Sequence, residues 1–132
     1  MKRYFPLAAA VVLAGGALPA AAQSPIEGRW AKGNLQIEIA PCGAVLCGTV
    51  VGATASQQGK AMRGSGTRLI GATLIHDIRP VGPNRYRAKV FVPDRNLHAA
   101  GTVHHVAPDR LDVAGCVMIV LCKTAHWRRI GR

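Results

Sequence analysis

The chain has 132 residues, with 17 Lys and Arg against 6 Asp and Glu, a formal net charge of +11 and 49% hydrophobic residues. That length suits one domain of ordinary size rather than two, and the charge favours anions of any kind as partners. Two Phe, two Tyr and two Trp are too few aromatics to interleave the basic residues, and no binding motif lies among them, so nucleic acid is set aside as a partner.

Lys2 and Arg3 precede an apolar run from Leu7 to Leu18 and then the triplet Ala20-Ala21-Ala22. This is the pattern of a secretory signal cleaved before Gln23, so residues 1–22 are assigned to the signal and 23–132 to a single domain. The run falls short of the ~20 residues that span a bilayer, and no later segment approaches that length. A soluble periplasmic or secreted domain is expected, carrying 15 basic and 6 acidic residues, a net charge of +9. A chain of this size buries a modest core and gains from covalent staples.

Cys42, Cys47, Cys116 and Cys122 are an even set for an oxidising compartment and read as two disulfides. Three pairings exist in principle. The close-set pairs, each flanking a turn, favour Cys42 with Cys47 and Cys116 with Cys122, and short loops of this kind stabilise by ~2 kcal/mol each. Zinc is the competing reading, but C-x4-C and C-x5-C are looser than the usual C-x2-C knuckle, and no metal site or cofactor is assigned.

Along the chain, Ile26 to Trp30 opens the first strand. Leu35, Ile37 and Ile39 then alternate with Gln36 and Glu38, the period of two that marks a half-buried strand. Pro41 and Gly43 end it, and Val45 to Val51 returns as the second half of a cysteine-clipped hairpin. Ala53 to Arg68, rich in Gly, Ser, Gln and Thr, reads as a long loop, either a functional lid or a mobile connection. In Leu69 to Ile78 the residues Leu74, His76 and Ile78 alternate, whereas Leu69, Ile70 and Leu74 also fit a helical face; strand is favoured, with a helical turn admitted. Pro80 to Asn84 is a turn. In Arg85 to Val92, Tyr86, Ala88, Val90 and Val92 face inward and Arg85, Arg87 and Lys89 outward. Pro93 to Asn96 turns the chain into Leu97 to Val106, where Gly101 marks a bulge or a close contact. After Ala107-Pro108-Asp109, Leu111 to Val117 alternates, and the last strand runs to Ile130. About eight strands with short links and little helix make an all-β sandwich or barrel, and an eight-stranded barrel is filled by side chains or holds one small ligand.

The ends of the chain favour the barrel. Gly28-x-Trp30 on the first strand and Trp127-Arg128-Arg129 on the last resemble the lipocalin-like arrangement, in which the first-strand Trp sits at the closed end under a basic side chain from the terminal strand. A guanidinium on that indole is worth ~1 to 2 kcal/mol where solvent is partly excluded. The order Gly28 to Trp30, Cys42 to Gly48, Val90 to Asp94, Leu111 to Cys116, Leu121 to Thr124 and Trp127 to Arg129 resembles the bacterial exported family called domain of unknown function 2147. That resemblance implies a small up-and-down β-barrel in the cell envelope and brings no settled activity. The family pattern often runs Gly-Lys-x-Tyr after the Pro-Asp turn; here Arg95-Asn96-Leu97-His98 stands instead, so no role of that Tyr carries over.

Three functional readings follow. The leading one is a lipocalin-like binding module whose mouth takes a small amphiphilic or anionic ligand, with Arg63 and Arg68 at its charged end and Tyr86 and Val90 as interior contacts. The second is an envelope interaction protein with a dry barrel, in which Arg85, Arg87, Lys89, Arg128 and Arg129 meet polyanions, a partner protein or anionic envelope surfaces. The third is a metal-assisted enzyme using His76, His98, His104, His105 and His126, although no His-x-His or His-Glu-x-x-His spacing occurs. The serines Ser24, Ser56 and Ser65 lie in loops with no Gly-x-Ser-x-Gly elbow, the acids are scattered, and no catalytic residue is assigned.

Overall fold

A computed structural model describes Gly15, residues 23–117 and residues 121–132. The proposed signal, residues 1–22, lies outside the described residues apart from Gly15. Eight antiparallel strands close into one barrel in chain order: β1 (Gly28–Lys32), β2 (Leu35–Cys42), β3 (Val45–Gly52), β4 (Thr73–Gly82), β5 (Arg85–Val92), β6 (Leu97–Ala107), β7 (Arg110–Val117) and β8 (Leu121–Gly131). Closure is made by β1 on β8, with Trp30 opposite Arg129 and Ala31 opposite Arg128. Every strand therefore has two neighbours, and among the described residues no sheet edge is left to recruit another chain.

Strand alternation sets the inside. Trp30, Ile37, Ile39, Val50, Ile75, Ile78, Val103 and Leu111 are buried, while Arg29, Glu38, Arg85, Arg87 and Lys89 face solvent. In β4 the alternation breaks. Asp77 adopts φ 55° and the register with β5 shifts between His76 and Arg79, so Ile75 and Ile78, three apart, both point inward. This bulge is why Leu69 to Ile78 read ambiguously, and the segment is a bulged strand preceded by a turn. Gly101 is a close contact rather than a bulge: its register with Ala88 and Gly115 is unbroken, and a Cβ there would lie 2.6 Å from Val90 Cγ2.

The long connection after β3 is not all loop. α1 (Ala55–Ser65) occupies most of it. Thr54 caps its start, accepting from the Gln57 backbone N–H at 3.1 Å while the Gln57 side chain accepts from Thr54 N–H at 2.9 Å, and Gly66 at φ 67° ends it. Ala61 is the buried residue of the helix.

Both disulfides join the expected partners, Cys42 with Cys47 across the β2–β3 turn and Cys116 with Cys122 between β7 and β8. In an up-and-down barrel the connections after odd-numbered strands share one end and those after even-numbered strands the other. The first clip therefore lies at the end that holds both chain termini, and the second at the end covered by α1.

Candidate functional site: a barrel with one sealed end and one lidded mouth

The sealed end is built around Trp30. Its indole N–H donates to the Ile26 carbonyl at 2.9 Å, and the Arg129 guanidinium stacks over the ring with its centre 4.3 Å from the centroid. Arg129 also donates from Nη1 to the Glu27 carbonyl at 2.9 Å, from Nε to the Pro108 carbonyl at 3.0 Å, and from Nη2 to the Pro25 carbonyl. One side chain thus ties the lead-in segment, the β6–β7 turn and the first strand together. Burial, and secondarily the nearby Arg132 charge, pulls Arg129 below its ordinary value.

Gly28 has a physical reason in this arrangement. Its φ is 129°, and a Cβ would meet the Gly131 carbonyl at 2.7 Å and Arg129 Nη1 at 2.8 Å, so any side chain would displace the stacking cation. Of the two arginines expected here, Arg129 shares strand parity with buried Trp127 and takes the position. Arg128 lies on the outer face and is exposed.

Tyr86 belongs to this half of the molecule. It is buried, and its hydroxyl lies 3.3 Å from Ser24 Oγ. It points inward as expected but does not line the cavity described next.

Above that floor the interior is hollow. A cavity of about 850 Å³ opens at the mouth end, walled by Leu35, Leu74, Ile75, Val90, Val113 and Trp127. Small residues make the room: Ala99, Gly115 and Ala125 line it where larger side chains would fill it. The Trp127 indole N–H has no hydrogen-bond partner among the described residues.

Gln57, Lys60 and Ala61 of α1 form part of the lining, together with Asp94 and Arg95 of the β5–β6 turn. The helix rests on that turn so closely that a Cβ on Gly64 would lie 2.2 Å from the Asp94 carbonyl oxygen. Among the described residues Lys32, Lys60, Arg95 and Lys123 are the cations lining the cavity, and Asp94 is the one acid beside them. Val90 thus sits where the sequence placed it. Arg63 and Arg68 are exposed on and after α1 and do not line the cavity, because the inward side of the helix carries Gln57, Lys60 and Ala61 instead. Lys32 and Lys123 were missed, although strand parity with Trp30 and with Trp127 marks both as inward-facing.

The histidines do not converge. His98 stacks on Phe91 with centroids 4.5 Å apart, His105 meets the Trp30 ring edge-on, and His126 Nδ1 lies 2.7 Å from Asp112 on the outer face of β7 and β8. Hydrogen bonding from His126, reinforced by Arg110, lowers the Asp112 carboxyl below its ordinary value against a smaller opposing effect of burial. Among the described residues no three His, Cys, Asp or Glu side chains gather as a metal-binding group.

Eight up-and-down strands, a sealed end with a cation on a first-strand Trp, and a hollow mouth define a lipocalin-like barrel. A family profile described as "Uncharacterized protein conserved in bacteria (DUF2147)" matches residues 28–129, and the chain belongs to that family. Among solved structures the chain is similar to protein HP1028 from the human pathogen Helicobacter pylori, described as belonging to the lipocalin family. The TM-score is 0.62 with 13% sequence identity, covering 79% of this chain and 82% of that one. At that identity the likeness is one of fold. No curated protein matches the chain.

Proposed function

We propose that this protein is an exported binding module that holds a small amphiphilic anion, its apolar part against Leu74, Ile75, Val90 and Val113 and its charged group among Lys32, Lys60, Arg95 and Lys123. The observation that carries the reading is the cavity of about 850 Å³, apolar along its walls and cationic at its rim. Small-ligand sites have volumes of roughly 300–1,000 Å³ with few polar groups to fix orientation. An apolar tail alone would need no rim of four cations, and a small hydrophilic anion would gain nothing from the apolar walls. Export is supported by the N-terminal basic, apolar and small-residue pattern and by two disulfides, which persist in oxidising compartments. Among the described residues no helix is long and apolar enough to cross a membrane.

The test is displacement of a fluorescent amphiphilic anion, anilinonaphthalene sulfonate, by alkyl chains of equal length and opposite head charge. Dodecyl sulfate is expected to displace the probe at lower concentration than dodecyltrimethylammonium, and Lys60→Glu with Lys123→Glu to remove that preference. Equal displacement by both head groups in the wild-type chain would defeat the anion assignment, and no probe binding at all would defeat the cavity assignment.

A further inference from the structure

The mouth carries exposed apolar side chains, two of which the cavity does not explain. Leu121 is 68% exposed, Met62 55%, Ile70 39% and Leu97 37%. Leu97 and Leu121 open β6 and β8, Met62 lies on α1 and Ile70 between α1 and β4, so all four sit on connections that follow odd-numbered strands. Leu97 and Leu121 also line the cavity, but Met62 and Ile70 do not, and a ligand inside the barrel would leave those two in water.

Cations lie near them in the chain and along the cavity lining. Arg63 and Arg68 lie beside Met62 and Ile70 in the chain, Arg95 precedes Leu97, and Lys123 follows Leu121, with Lys32 and Lys60 on the same rim. Asp94 is the one acid on these connections among the described residues, and residues 118–120 carry no charge in sequence. Exposed apolar groups set among Lys and Arg are the signature of a surface that enters the headgroup region of an anionic bilayer. The charge argues against the other occupants: a second copy would bring one cationic rim against another.

We propose that the open end of the barrel docks on an anionic lipid bilayer, with Leu121, Met62, Leu97 and Ile70 entering the interface and the surrounding cations meeting lipid phosphates. The cavity then opens toward the lipid phase, where an amphiphile partitions, rather than into water. This goes beyond ligand binding and can fail independently of it.

The experiment is flotation of the purified chain with vesicles of phosphatidylcholine alone or mixed with phosphatidylglycerol in equal parts. Intact mass is checked first, because an uncleaved Leu7 to Leu18 run would itself bind lipid. Flotation is expected with the mixed vesicles only. The pair Leu121→Gln and Met62→Gln should weaken it by roughly tenfold or more. The pair Arg85→Gln and Arg87→Gln, on the barrel flank, should leave it unchanged. Gly115→Leu, which narrows the cavity, should float like wild type while binding the fluorescent probe more weakly. The proposal is overturned if the chain floats with neither vesicle or equally with both, if the flank pair abolishes flotation while the Leu121 and Met62 pair does not, or if sedimentation shows a dimer that the Leu121 and Met62 pair dissociates.

Discussion

Replacing Gly64 by alanine sets two local effects against each other. In a helix interior alanine is favoured over glycine by about 1 kcal/mol. At Gly59 that gain is free to appear, because a new Cβ would meet only the tip of the Arg63 side chain at 3.1 Å, which can swing away. At Gly64 the Cβ would lie 2.2 Å from the Asp94 carbonyl oxygen, 2.4 Å from its carbon and 2.7 Å from its Cα. These are backbone atoms of the β5–β6 turn and cannot yield by rotation, so α1 must lift. Lifting exposes Ala61, the buried residue of the helix, at a cost of roughly 1 kcal/mol. The two effects cancel. Gly59→Ala is therefore expected to raise the melting temperature by about 4 °C, and Gly64→Ala to leave it nearly unchanged while speeding probe entry in stopped-flow fluorescence. Equal stabilisation by both substitutions, with unchanged entry rates, would show that α1 does not rest on the turn and that the lid account is wrong.

At the sealed end, Arg129→Ala removes the indole contact and three bonds to carbonyls, and should cost about 2–4 kcal/mol in denaturant melts, whereas Arg128→Ala on the outer face should cost less than about 0.5. Gly28→Ala should approach the Arg129→Ala loss and alter the near-ultraviolet signal of Trp30; wild-type stability in it would refute the steric reading. Replacing Cys116 and Cys122 by alanine should cost about 2 kcal/mol, and non-reducing peptide mapping should recover both local pairs and no cross-pairing. The Asp112 carboxyl lies below its unfolded value, so what it adds to stability is present above about pH 4 and lost as pH falls through the folded value. Asp112→Asn should therefore melt below wild type near neutrality by a small margin, as its partner His126 is 61% exposed, and the two curves should meet in acid.

Most of the barrel was readable because period-two alternation runs through most of the strands, although Trp30 and Ala31 of β1 are both buried, and is bounded by Gly, Pro and Asn turns. It failed in β4, where one left-handed residue, Asp77, moves every later side chain to the other face. α1 escaped notice because Gly59 and Gly64 lower its helix propensity and its single buried side chain gives no amphipathic stripe, although Thr54 with Gln57 was a capping signal in plain view. The site residues divide along the same line. Alternation tells which face a residue occupies but not how deep it lies. Tyr86 and Val90, roughly 13 Å apart along one strand, shared an inward face, yet one reaches the sealed end and the other the cavity. Arg63 and Arg68 were chosen from a segment read as loop, where nothing in the sequence distinguished their direction from that of Lys60.

The measurement that bears most directly on the hollow, cation-rimmed interior is native mass spectrometry of the chain purified without detergent from its own host, beside Gly115→Leu prepared in the same way. A Cβ at Gly115 makes only ordinary contacts, the nearest at 3.7 Å, so the position accepts a side chain that narrows the cavity. A bound small molecule on the wild-type chain, released as an anion and carried at lower occupancy by the variant, is the predicted result. A wild-type chain of bare polypeptide mass that also fails to take up dodecyl sulfate, or a bound molecule that is not an anion, would contradict it.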